Sequence, residues 1–133
     1  MRYLVGCLLL VSAAVAQADP ARARTNYLLN CMGCHGETGA GLEGKVPSLR
    51  GTLAMLSSSP QGRYYVLRVP GVTQSKLSDA ELAEVLNWSL RTFNASTPHD
   101  EFPEFTAAEI AAARREPLVD VAASREAALG AAR

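Results

Sequence analysis

Residues 31–35 read Cys-Met-Gly-Cys-His, and no other stretch restricts the chain so tightly. Two cysteines three positions apart, followed at once by a histidine, set two thiols and an imidazole on one turn of backbone. Each known use of a Cys-x-x-Cys pair makes its own demand on the rest of the sequence. A zinc site needs further ligands at matching spacing, and once Cys7 leaves with the export segment described below only His99 remains among histidines and cysteines. A thioredoxin-like dithiol sits in a βαβ pattern, and no segment here alternates convincingly like a strand.

The third use is covalent attachment of haem. Two thiols adding across the vinyl groups of the porphyrin give thioether bonds that hold the ring without equilibrium loss, and the adjacent histidine reaches the iron from one face. Composition suits a cofactor-centred core. Aromatic residues make up only 6% of the chain, and a domain of about a hundred residues buries limited surface, so a large, flat, mostly apolar group would help hold it together. The formal charge is +0, with 13 basic and 13 acidic residues, which points to neither nucleic acid nor a strongly charged partner.

The N-terminus reads as a cleavable signal peptide over residues 1–18. Arg2 supplies the positive region, Leu4 to Val15 the apolar region, and Ala16-Gln17-Ala18 a small-x-small cleavage site. The apolar run is too short for a transmembrane helix, so the mature form, beginning near Asp19, is expected in the periplasm with no membrane span. Leu4-Val5-Gly6-Cys7 lies too close to the start to be a lipoprotein box. In an oxidising compartment Cys31 and Cys34 would ordinarily suggest a disulfide; His35 favours the haem.

The mature chain predicts an all-α fold. Asp19-Pro20 starts a helix to about Gly33 that turns Tyr27, Leu28 and Cys31 inward. Gly36 to Gly51 is a glycine-rich loop. Thr52 caps a short helix through Leu56, and Ser59-Pro60 starts another that ends at Val69 before Pro70. Ser78-x-x-Glu81 is a capping box ahead of the clearest helix, whose Leu82, Val85, Leu86, Leu90 and Phe93 form one apolar stripe. Asn94 to Pro103 is a loop, Thr106-x-x-Glu109 a second capping box opening a helix to about Arg115, and Asp120 caps a last alanine-rich helix.

From Pro20 to Phe93 the sequence resembles the class I c-type cytochromes. That resemblance implies a haem domain over residues 19–93 with crossing N- and C-terminal helices, here Pro20–Gly33 and Asp79–Phe93, and leaves residues 94–133 as a helical C-terminal extension. It implies one covalent haem c on Cys31 and Cys34 with His35 as an iron ligand. The family's Pro-x-Leu-x-Gly stretch is matched by Pro47-Ser48-Leu49-Arg50-Gly51, so Pro47 would accept the second ring N–H of His35, unless it merely stiffens the loop. Trp88, off the stripe, would pack near the haem edge or the helix crossing. Arg50 and Arg63 would pair with haem propionates or stand as solvated surface arginines.

The family pattern breaks at the sixth ligand. Where it places a methionine before a proline, this chain reads Val69-Pro70-Gly71-Val72. Met32 lies inside the attachment motif, on the histidine side. Met55 is the first choice for the iron, His99 folding back from the extension the second, and an empty or water-filled position walled by Val69 and Val72 the third; each side chain also has a plain packing or surface reading. Two protein ligands suit electron transfer, whereas an open position admits small molecules. The expected function is a periplasmic single-electron carrier, not an enzyme, taking electrons from a dehydrogenase and passing them to a cytochrome or oxidase. The alternatives are a haem protein binding gas or peroxide, and a haem-free dithiol at Cys31 and Cys34.

Overall fold

The computed structural model describes residues 19–96 and 102–132. Residues 1–18, where a signal peptide is expected, and His99 lie outside the described residues. Among the described residues eight helices follow in order: α1 Pro20–Asn30, α2 Met32–His35, α3 Thr52–Ser57, α4 Pro60–Arg68, α5 Pro70–Thr73, α6 Asp79–Phe93, α7 Ala107–Arg114 and α8 Val121–Ala131. The all-α expectation holds; the one β-type pairing among the described residues is an isolated bridge between Leu42 and Val46.

Local chemistry sets most boundaries. Asp19 accepts from the Ala21 N–H with Pro20 in the first turn of α1, and Ser59 accepts from the Gly62 N–H with Pro60 in the first turn of α4. Both capping boxes form: Ser78 with Glu81, and Thr106 with Glu109. Three expectations need correction. The first helix stops at Asn30, because Cys31 leaves helical geometry (φ −124°, ψ −34°) before α2 begins. Thr52 is the first residue of α3 and Gly51 its cap, with no side-chain bond. The helix expected to end at Val69 ends at Arg68: Val69 turns extended ahead of the proline, and α5 then winds one turn, burying Val72.

Packing falls into two regions. α1 lies across α6, and Tyr27, Trp88 and Phe93 meet there with ring centroids 5.2, 5.2 and 5.5 Å apart. Arg22 forks onto Glu84 across the same pair of helices. The second region gathers Leu53, Leu56, Tyr65, Val66, Leu67, Val72, Leu82 and Leu90 with Phe105, Ile110, Ala113 and Ala128. Residues after Asn94 therefore contribute to the main apolar cluster. The clearest-helix stripe is confirmed at Leu82, Val85 and Leu90, which are buried, with Leu86 and Phe93 half-buried.

Candidate functional site

The turn that carries Cys31, Cys34 and His35 is built by the break at Cys31. The N–H groups of Cys34 and His35 both donate to the Cys31 carbonyl, at 3.2 and 3.0 Å, so one tight turn carries both sulfurs and the imidazole. Cys31 is half-buried and Cys34 exposed, and both thiols are free. Burial, helped by neighbouring Cys34, pushes the Cys31 thiol up to about 11, so it stands protonated.

His35 is half-buried, and its Nδ1 lies 3.2 Å from the Pro47 carbonyl. A carbonyl only accepts, so the hydrogen sits on Nδ1 and the neutral ring keeps its Nε2 lone pair for another partner. Burial lowers the pKa of the ring, opposed by the bond to Pro47. A neutral imidazole oriented through its far nitrogen is the form in which histidine binds a metal.

The loop over residues 36–51 brings Pro47 back to His35. The Gly41 N–H donates to the His35 carbonyl at 2.8 Å, Leu42 and Val46 exchange backbone bonds at 2.9 and 2.7 Å, and the Leu49 N–H reaches the Gly39 carbonyl at 2.8 Å. Gly41 has φ +74°, and a Cβ there would lie 2.7 Å from the Pro47 carbonyl oxygen. Only glycine lets the chain fold back this closely beside the imidazole.

The other predicted positions are scattered. Met55 is half-buried on α3 against the main apolar cluster. Arg50 donates Nε to the Thr38 carbonyl at 3.0 Å, which braces the loop. Arg63 is neither solvated nor free for a propionate. It forks onto Glu109 at 2.7 and 3.0 Å, donates to the carbonyls of Pro103 and Glu104 at 2.7 Å each, and stacks 4.2 Å over Phe105. Trp88 stands at the helix crossing, as the resemblance implied. Sequence reading missed the Tyr27 hydroxyl, which donates to the Gly36 carbonyl at 2.6 Å, and the close approaches at Gly39 and Gly41. The available signals were a hydroxyl on an inward-facing ring and glycines crowded into the dozen residues after His35.

These features fit a covalent haem. Two free thiols share one turn with an imidazole whose Nδ1 is engaged by Pro47, which leaves Nε2 unengaged by that contact. Among the described residues no group of three or more His, Cys, Asp or Glu gathers to hold a bare metal ion. No helix among the described residues is long and apolar enough to cross a membrane. The chain is 32% identical, over an alignment of 135 residues covering 88% of each protein, to a cytochrome c-552 of Thermus thermophilus. It is 30% identical over 120 residues, 77% of this chain and 88% of the relative, to another Thermus thermophilus cytochrome c-552. No family model and no solved structure matches the chain.

Proposed function

The chain belongs to the c-type cytochromes, electron carriers with covalently bound haem c, and from that membership we propose a specific site and setting for it. One haem is held through thioethers to Cys31 and Cys34, with His35 as the proximal ligand and Pro47 fixing its ring. Haem would supply the one-electron iron couple, and the Pro47 carbonyl orients the ligand. The 3.2 Å contact from His35 Nδ1 to the Pro47 carbonyl carries this reading, because it frees Nε2 on the turn that holds both thiols. Mass spectrometry of the protein made in a host with haem-attachment machinery tests it. The expected mass is the processed chain plus one haem; a bare polypeptide sinks the assignment.

Met55 completes the coordination in this proposal, and thioether ligation raises the potential and keeps the iron low-spin. The reduced protein is then indifferent to carbon monoxide. A near-infrared sulfur-to-iron band of the oxidised form disappears in Met55→Ala. The second reading is an open sixth position that binds small gases, favoured by the packing of Met55 against the main apolar cluster. A large spectral shift with carbon monoxide selects that reading. The carrier works in the periplasm after removal of residues 1–18, between a dehydrogenase and a cytochrome or oxidase, through the small, transient contacts usual for redox partners.

A further inference from the structure

Tyr27 is fully buried, and its ring packs on Trp88 and Phe93 as a phenylalanine would. Its hydroxyl therefore needs a separate account. It donates to the Gly36 carbonyl at 2.6 Å, and Gly36 directly follows His35. Burial pushes the phenol up to about 12, so the donor keeps its proton. The same Gly36 carbonyl accepts the Gly39 N–H at 3.3 Å. The Gly39 carbonyl accepts the Leu49 N–H at 2.8 Å and the Ser48 hydroxyl at 3.3 Å, and these two residues directly follow Pro47. A packed route runs in parallel: the Tyr27 ring meets Phe93, and a Cβ on Gly39 would lie 2.7 Å from the Phe93 ring.

We propose that Tyr27 is a positioning residue for the iron ligand: its hydroxyl holds the 36–39 turn in register with residues 47–49 and so keeps the Pro47 carbonyl on the His35 Nδ1–H. The inference rests on the haem reading given above. Without the hydroxyl, the Gly36 carbonyl loses its buried donor and keeps only the 3.3 Å bond from the Gly39 N–H, so that the turn shifts against residues 47–49 and the Pro47 contact loosens. A looser contact makes the imidazole a poorer donor to a bound metal.

The test uses the haem-bearing protein and Tyr27→Phe, which keeps the ring contacts and removes the hydroxyl. Deuterium exchange of the His35 Nδ1–H, followed by NMR of the reduced form, should be about fivefold faster, the factor that corresponds to losing one typical hydrogen bond. The midpoint potential should rise. Ser48→Ala, acting on Gly39 from the other side, should move both quantities in the same direction by less. An exchange rate and a potential equal to those of the unaltered protein overturn the proposal, even where the melting temperature falls, because that result leaves Tyr27 a packing role alone. Should Tyr27→Phe fail to fold, 3-fluorotyrosine placed at position 27 keeps shape and hydroxyl while strengthening the donor. Slower exchange and a lower potential then support the proposal, and no change overturns it. Intact mass separates the two layers: a haem-free product defeats the haem reading and this inference with it, while a haem-bearing product with unmoved exchange defeats this inference alone.

Discussion

At the scale of single residues, the site depends on positions whose side chains carry no chemistry. Gly41 has φ +74° and faces the Val46 and Pro47 carbonyls, so Gly41→Ala adds both backbone strain and a collision beside the His35 partner. Strain of this kind costs about 1–3 kcal/mol. The expected outcome is a lower denaturation midpoint together with faster exchange of the His35 Nδ1–H. Gly44→Ala, where φ is +70° but no atom lies within 4 Å of the added carbon, should lose stability and leave that exchange unchanged. Glu109 gives a pH-dependent case. The Arg63 guanidinium and the Thr106 cap hold its carboxyl at about 2, below the ordinary 4.5. A carboxylate with a depressed folded-state pKa stabilises the fold above its unfolded value, and the contribution disappears as pH falls toward 2. The difference in melting temperature between the unaltered protein and Glu109→Gln should therefore be constant above about pH 5 and shrink steadily below it. A difference that stays constant down to about pH 2.5 contradicts the ion-pair account.

At the scale of elements, legibility tracked the range of the forces involved. Helix starts are local, so Asp19-Pro20, Ser59-Pro60, Ser78-x-x-Glu81, Thr106-x-x-Glu109 and Asp120 could all be read from adjacent residues, and all five cap their helices. The contact between His35 and Pro47 was legible because the Cys-x-x-Cys-His motif and the Pro-x-Leu-x-Gly stretch are short and distinctive. The break at Cys31 and the single turn of α5 were not, since neither short helix has a side-chain cap to announce it. The least legible feature was Asn87, a polar residue on the best-read helix. It is buried, donates Nδ2 to the Phe105 carbonyl at 2.9 Å, and accepts the Phe105 N–H at 2.8 Å. Periodicity identifies which face of α6 is apolar but not a backbone partner eighteen positions away. Asn87→Ala leaves both Phe105 backbone groups buried and unpaired, at about 1–3 kcal/mol for each. Urea denaturation should show this loss, and Asn87→Asp, which cannot donate from the second oxygen when ionised, should not restore it.

At the scale of the whole molecule, the segment after Asn94 is held by directed contacts as well as by apolar burial. Arg63 from α4 binds Glu109 and two carbonyls of the incoming chain, while Arg114 from α7 reaches Asp79 and the carbonyls of Ser75 and Leu77. Arg68–Glu116 and Arg91–Glu104 are more exposed on their acidic side and contribute little each. Burial decides the balance. Phe105 and Ile110 are 2% and 0% exposed within the cluster that includes Leu53, Leu56 and Val66. Two large side chains buried to this degree contribute about 3–6 kcal/mol together, against a total stability of about 5–15 kcal/mol for a domain. Their removal would also open Leu82, Val66 and their neighbours to water. A chain ending at Asn94 is therefore expected to lose cooperative melting even with haem attached, whereas Ile110→Ala in the full chain should melt cooperatively at a lower temperature, with a cost of about 2–5 kcal/mol. Circular dichroism melts of both proteins make the comparison. A sharp transition in the shortened chain would mean that residues 19–93 fold by themselves around the haem and that the C-terminal helices are an addition; a broad, uncooperative one means that α7 and α8 are part of the core that keeps α3 and α4 in place beyond the loop that carries Pro47.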